Sequence, residues 1–541
     1  MALGELAGLQ PRVYEGSRGR SSRPPAVLLI PAALVGAAVL LPVAYLALRS
    51  LEAGTETWDL LLRPRTLAIL ARSLLLAATV TAASVAIAVP LAWLTVRTDL
   101  PLRGLWSVLT ALPLVIPSYL GAFLVVTAIG PKGLLQGWLA PIGVERLPSI
   151  YGFAGAWLVL TLLSYPYVLL PVRAALARMD AALEESSRSL GRSAWQTFLL
   201  VTLPLLKPAI AAGALLVALY TLSDFGAVSL LRFETFTWAI YVQYGSFARD
   251  SAAVLSLMLA ALALGILVVE SRTRGRSRYD STDTGGGRPP TVVRLGRWRW
   301  PAVALCAAVV ALALAMPAGV LAYWAARGFI AGETLPLVWS RAWNSLFVSG
   351  LAAAVTVAAA LPVALLAVRY PGGLGRLLER VSYVGFALPG IAVALALVFL
   401  GVRFATPLYQ TLAMLVFAYV VLFLPTALGS VRASLLQVSP ALEEAARSLG
   451  ATQLRAVFSV TIPLVRSGAL AGGALVFLLV MKELPATLIL SPIGFETLAV
   501  SIWGAASEAF FARAAVESVL LLLASWVPMA FLVLRSEVRE R

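Results

Sequence analysis

The chain has 541 residues, 60% of them hydrophobic and 13% charged, with a mean hydropathy of +0.90. Soluble domains are about one quarter charged, so a composition this apolar excludes an ordinary soluble enzyme. The 42 Lys and Arg against 26 Asp and Glu give a net charge of +16, histidine is absent, and the one cysteine, Cys306, lies in an apolar block. There is thus no disulfide framework, and the commonest transition-metal ligand and acid–base catalyst are missing.

Twelve apolar blocks run along the chain. Ala26–Leu48, Ser73–Val96, Val108–Ile129, Phe153–Val172, Ala209–Leu231 and Ala252–Val269 come first. Pro301–Ala325, Leu346–Val368, Val381–Val402, Leu412–Val431, Ala469–Leu490 and Ala514–Leu534 follow. Each is about 18–25 residues, the length that crosses a hydrocarbon core of ~30 Å as a helix. Ala- and Leu-rich runs satisfy their own backbone in lipid as helices, so the fold class is all-α integral membrane with about 12 transmembrane helices. The first block follows Arg12, Arg18, Arg20 and Arg23 but exceeds the roughly 7–15 apolar residues of a signal-peptide core, and it reads as a retained span. If residues 1–25 and 535–541 are both cytoplasmic tails, most of the Lys and Arg fall in cytoplasmic segments, as the positive-inside rule requires.

Residues 270–300, rich in Gly, Ser, Pro and Arg, read as a cytoplasmic linker between residues 26–269 and 301–534, each with six spans. The two parts repeat. Pro90, Arg97 and Pro117 recur 272 positions later as Pro362, Arg369 and Pro389. Pro166, Arg173, Glu185 and Pro204 recur 259 positions later as Pro425, Arg432, Glu444 and Pro463. The 13 extra residues of the first half fall near 130–152, in an outside loop. An even number of spans per half makes the repeats parallel, with any pathway on the axis between them.

Between the fourth and fifth spans of each half stands a charged decapeptide, "ALEESSRSLG" at 182–191 and "ALEEAARSLG" at 441–450. Glu184 and Arg188, like Glu443 and Arg447, stand four apart in the favourable order for a pair on one helix face. Gly191 and Gly450 can end that helix in a left-handed cap. A second short amphipathic stretch follows, and Pro204 or Pro463 opens the next span. These segments, 173–207 and 432–466, read as a short helix, a bend, a second helix and re-entry into the membrane.

The fifth span of each half is interrupted at an acid. Asp224 and Glu483 correspond, Phe225 follows the first and Lys482 precedes the second, and Gly226 and Pro485, both helix-weakening, stand two after each acid. Ionisable groups in a span usually face a cavity or a partner. Either the two carboxylates line the translocation pathway as transient ligands of a hard cation, or Asp224 caps a broken helix and Glu483 pairs with Lys482.

The decapeptides carry a resemblance. Glu444-Ala445-Ala446, Gly450, Val460, Ile462 and Pro463 resemble the signature loop of binding-protein-dependent ABC importer permeases. Glu185, Gly191, Val201, Leu203 and Pro204 fit as well, with Ser186 and Ser187 in place of the two alanines. The resemblance spans nearly the whole chain, as two fused permease domains of the type I fold. It implies that each loop, through Glu184, Glu185, Gly191 and Pro204 and through Glu443, Glu444, Gly450 and Pro463, docks on one of two ABC ATPase subunits. It implies a periplasmic or lipid-anchored binding protein that delivers substrate, and a bacterial inner-membrane location. ATP and Mg would sit on the partner: the three lysines, Lys132, Lys207 and Lys482, follow Pro, Leu and Met, so no Gly-Lys-Ser/Thr loop exists here, and the chain binds no cofactor of its own.

"LSDFGAVSLLRFETFT" and "KELPATLIL", with "GFETLA" beyond, are similar to the ferric-iron branch of that family. Permeases for thiamine, polyamines, phosphonates or sulfate share the loop and remain alternatives. A twelve-span secondary transporter would also have two parallel halves, but its usual Gly…Asp-Arg-Xaa-Gly-Arg loop is replaced by "RTDLPLRG". An intramembrane enzyme has no catalytic constellation to rest on.

Overall fold

The computed structural model describes residues 24–52, 54, 59–131, 133–144, 147–274, 292–332, 336–370 and 372–540. The N-terminal tail up to 23, residues 275–291 of the expected linker and the last residue lie outside them. Among the described residues there is no strand, only one isolated bridge between Thr98 and Val293. The chain is a multi-pass, all-α membrane protein.

Among the described residues, ten helices are long and apolar enough to cross a membrane, from Ala26–Glu52 to Val457–Met481. The other two apolar blocks are helical too. One contains the shorter helix Gly390–Phe404, and the last falls within Phe511–Glu540.

The third span of each half differs from the continuous helix its composition predicts. In the first half, helix Arg103–Leu109 and a tight turn over Leu112–Val115 lead to Ile116 and Pro117 in extended conformation, after which Ser118–Ile129 resumes. The second half repeats the break at Leu388 and Pro389, between Gly373–Val384 and Gly390–Phe404. Proline excludes the residue before it from the helical region, so each span ends there and a new helix starts at the axis.

The segment after each decapeptide also departs from expectation. It is one rod with the fifth span, Trp195–Ser223 in the first half. A wider π turn, Phe198–Thr202 or Val457–Thr461, stands immediately before the proline-bearing first turn. Proline lacks the N–H and crowds the carbonyl four residues back; a π turn absorbs that misfit without breaking the helix.

The first span of each half packs on the other half. Ala26–Glu52 lies against Pro336–Arg369 and Gly390–Phe404, with the Tyr45 hydroxyl donating to the Phe399 carbonyl (3.2 Å) and Arg403 paired with Glu52 (2.7 Å). Met316–Ile330 lies against Ser118–Ile129 in return. Two halves that exchange an outer helix bury apolar surface on each other and hold a shared axis.

Candidate functional site

Two constructions stand out, one at the end of the bundle carrying the decapeptides and one on the axis.

Each decapeptide is a short helix, Ala181–Ser189 or Pro440–Ser448. Asp180 and Ser439 cap the two by accepting from the backbone N–H of Ala182 (3.0 Å) and Ala441 (3.3 Å). At the other end Gly191 (φ +83°) and Gly450 (φ +90°) take the left-handed conformation, and the next N–H returns to the helix, Arg192 to the Ser187 carbonyl and Ala451 to Ala446. This is the cap that spacing suggested, and only glycine adopts it without strain.

The acids do not pair along their own helix as predicted. Glu184 accepts from the Thr202 hydroxyl (2.9 Å) and lies 3.7 Å from Arg97; Glu443 accepts from Thr461 (2.8 Å) and from Arg369 (2.9 Å). Both arginines end the second span of their half, and both also donate to the carbonyl that ends the fourth span, Met179 or Val438. A low-dielectric partner two spans away outcompetes a solvated i+4 arginine. The recurrence of Arg97 as Arg369 was visible in the sequence, but nothing in its spacing named the carboxylate it would hold. Glu185 and Glu444 face solvent, beside the exposed Leu190 and Leu449. The predicted docking residues therefore divide: Glu184 and Glu443 brace the loop, while Glu185 and Glu444 lie on its free surface. Pro204 and Pro463 sit behind, in the rod.

On the axis, residues of both halves enclose a cavity of about 380 Å³. Asp224, Phe225, Gly226, Lys482, Glu483 and Pro485 all line it, so the structure brings together the six residues singled out in the interrupted spans. Asp224 (7% exposed) ends helix Leu203–Ser223 and caps Gly226–Leu230, accepting from the N–H of Ala227 (3.0 Å) and Val228 (3.3 Å). Glu483 (9%) does the same for Pro485–Leu490, accepting from Ala486 and Thr487 N–H (2.9 Å each) and from the Thr487 hydroxyl (2.7 Å). Capping is thus their structural work, and lining the cavity leaves them available for more. The expected pair of Glu483 with Lys482 does not form: the Lys482 ammonium crosses to the first half and donates to the Leu114 carbonyl (3.1 Å).

Two glycines make room here. A Cβ on Gly226 would lie 2.8 Å from the Cβ of Tyr119, and one on Gly390 would lie 2.8 Å from Glu483 Oε1. Gly390 matches Ser118, whose hydroxyl lies against Asp224. A short acid beside serine and a longer acid beside glycine fill similar volumes.

Beside the cavity stands an aromatic cluster built on Phe225, which lines it. Phe225 packs on Trp238, Tyr241 and Trp503 with centroids 4.9–6.2 Å apart, and Trp503 donates to the Ser229 hydroxyl (2.9 Å). Tyr241 and Trp503 occupy matching places in the two halves and meet edge to face. This cluster is not legible in the sequence, because the rings come from separate segments with no shared spacing.

The family described as binding-protein-dependent transport system inner membrane component matches residues 84–272 and again 350–535. The chain is 36% identical over 516 residues to the Fe(3+)-transport system permease protein FbpB 2 of Haemophilus influenzae, covering 94% of this chain and 98% of that protein. It is 26% identical over 405 residues to the ferric transport system permease protein FbpB of Actinobacillus pleuropneumoniae, covering 71% of this chain and 59% of that protein. The molybdenum transport system permease protein ModB of Escherichia coli K12 is 32% identical over 189 residues, 32% of this chain and 79% of that protein.

Proposed function

Because this chain belongs to the binding-protein-dependent transport system inner membrane components, as the membrane-spanning permease of an ABC importer and not an enzyme, we propose that its cargo is ferric iron. The observation that carries the reading is the axial cavity, where Asp224 and Glu483 reach one space from matching positions of the two halves. Two buried carboxylates suit a hard cation and disfavour an oxyanion such as molybdate. The chain-long similarity to a permease named for Fe(3+) transport supports the same choice.

In this reading the chain lies in the bacterial inner membrane with both termini and both decapeptide loops in the cytoplasm. The halves are permease domains 26–269 and 301–534 joined by a cytoplasmic linker over 270–300. Each loop docks one ATPase subunit, two in all, through the free surface that holds Glu185 and Leu190 or Glu444 and Leu449. Gly191 and Gly450 set the turn, Glu184 and Glu443 brace it, and Pro204 and Pro463 begin the rod that carries its movement to the axis. A binding protein outside the membrane supplies the ion; ATP and Mg act on the ATPase, and this chain needs no cofactor.

The test is uptake of radioactive ferric iron by cells carrying the whole transporter, normalised to permease in the membrane. Asp224→Asn keeps its cap, since one amide oxygen can accept both backbone N–H groups, whereas Glu483→Gln keeps only one of the two accepting oxygens, so membrane abundance is read beside uptake. Uptake should fall at least tenfold in the double variant, by more than either single change gives, with the protein still in the membrane. Unchanged uptake removes both acids from the pathway. Uptake of molybdate in place of iron by the unaltered transporter reverses the choice of cargo.

A further inference from the structure

The axial cavity is chemically one-sided. The first half lines it with Tyr119, Tyr167 and Tyr220; the positions that match them in the second half hold Ile391, Thr426 and Leu479. All the tyrosines that line the cavity therefore come from one half. Tyr119 is the most telling. It is 2% exposed, it lines the cavity, its hydroxyl has no hydrogen-bond partner, and it stands within electrostatic reach of Glu483 on the opposite wall. A buried phenol ordinarily finds a partner. The fold does not require the hydroxyl, because the buried Ile391 fills the same place in the second half. Tyr220 is the better satisfied neighbour, lying against Ser118 close to Asp224.

Among the described residues no group of three or more Cys, Asp or Glu could hold a metal ion, and the chain has no histidine. Two carboxylates, each partly occupied in capping, do not complete the shell of a trivalent ion. The remaining side-chain oxygen donors in the cavity are the hydroxyls of Ser118, Ser223 and Thr426 and the phenols, and of these only a phenol, with an ordinary pKa of about 10, gives up its proton readily to become an anionic ligand.

We propose that Tyr119, Asp224 and Glu483 form a transient oxygen-donor site for a bare trivalent cation, in which the Tyr119 oxygen becomes a ligand. This rests on the reading of ferric iron as cargo and adds that the ion travels stripped of its chelator. On binding, the phenol O–H bond breaks, the oxygen lone pair goes to the metal, and the proton leaves to cavity water; no electron moves and the iron stays ferric. On release the oxygen takes a proton back from water. Lys482 places a positive charge on the same cavity and disfavours long occupancy, as conduction requires a site that lets go.

The experiment titrates the purified full-length chain with ferric nitrilotriacetate and reads visible absorption, because iron bound to phenolate gives a charge-transfer band that carboxylate ligands do not. A saturable band is expected, displaced by gallium(III), which has the same charge and no such band. Tyr119→Phe should abolish it, Tyr220→Phe should leave it in place, and Glu483→Gln should weaken apparent affinity about tenfold. Tyr119→Phe should also slow ferric uptake by cells about tenfold at equal membrane abundance. A missing band, or one that survives in Tyr119→Phe, overturns the site. The underlying reading fails separately: if the unaltered transporter takes up no ferric iron, the cargo is wrong, whereas normal uptake with no band removes only the tyrosine site.

Discussion

The two halves share a backbone and differ in chemistry, and the differences gather where they meet. Both halves cap the decapeptide helix, turn on a left-handed glycine, insert a π turn before a proline and break the third span at a proline. These devices serve each half by itself, so each half needs its own copy. At the axis, Ser118, Tyr119, Tyr220 and Asp224 are matched in the second half by Gly390, Ile391, Leu479 and Glu483, of which all but Ile391 line the cavity. One cavity is formed jointly, so a function supplied by one wall need not be repeated on the other. The bracing shows a milder asymmetry: Arg369 bonds Glu443 at 2.9 Å, while Arg97 stands 3.7 Å from Glu184. At the far end the contrast is sharper. Arg341 pairs with Glu496 and with the fully buried Glu517, both at 2.7 Å. The first half has exposed Arg65 and Arg72 on Glu234, and Leu255 where the second half has Glu517.

The strongest way to break this comparison is at the shared turn. Gly191→Pro with Gly450→Pro should abolish transport, since proline holds φ near −65° where the chain needs +83° and +90°. Each single change should leave one working loop, and the ratio of the two residual rates measures how equal the halves are. Persistent uptake with normal co-purification of the ATPase in the double variant would sink the docking reading.

Next comes the ion pair at the far end. Arg341→Met removes the shorter of two arginine contacts to the buried Glu517 and leaves Arg513 at 3.4 Å, so it should cost about 3 kcal/mol, the low end for breaking a buried pair, read as a lower melting temperature in detergent. Adding Glu517→Leu, the residue of the first half, should restore most of the loss. Arg72→Met, on the exposed counterpart, should cost about 0–1 kcal/mol. Equal melting of the Arg341 and Arg72 variants would show that the buried pair is no stronger than the surface one.

The matched volumes on the axis predict a smaller effect. Gly390→Ala pushes a methyl group against Glu483 Oε1 and should cost about 1–3 kcal/mol through overpacking. Glu483→Asp in that background should recover part of it, because neighbouring changes are non-additive. If the two losses simply add, the glycine is not there for the longer acid. The smallest change is Ser118→Ala, which removes only the hydroxyl beside Asp224 and should cost about 0.5–1.5 kcal/mol; a loss as large as that of Gly390→Ala would mean that hydroxyl, not volume, sets this corner of the cavity.

Much of the architecture was legible because its signals are local. Apolar length marked the spans, the recurrence of Glu185 as Glu444 marked the repeat, and the decapeptide spacing marked the helix and its glycine cap. Asp224 and Glu483 were found because an acid in an apolar run is conspicuous at any distance from its partners. Illegible were the partners themselves. The spacing pairs Glu184 and Glu443 with arginines four residues on, and one of the two readings of Glu483 pairs it with the adjacent Lys482. In each case an arginine or a carbonyl from a distant span took the contact instead.

By itself, then, the sequence determined which segments are apolar enough to cross the membrane, that the chain is doubled, and where the decapeptide helices start and turn. Such features depend on backbone conformation and on transfer of apolar surface out of water, which residues a few positions apart decide among themselves. Only the tertiary structure decided that Arg97 and Arg369 brace the loops, that three tyrosines share a wall with no match opposite, and that Trp238, Tyr241 and Trp503 gather on Phe225 beside the cavity. In a low-dielectric interior the strength of a polar contact is set by distance and by exclusion from water, and neither is written in the separation of two residues along the chain.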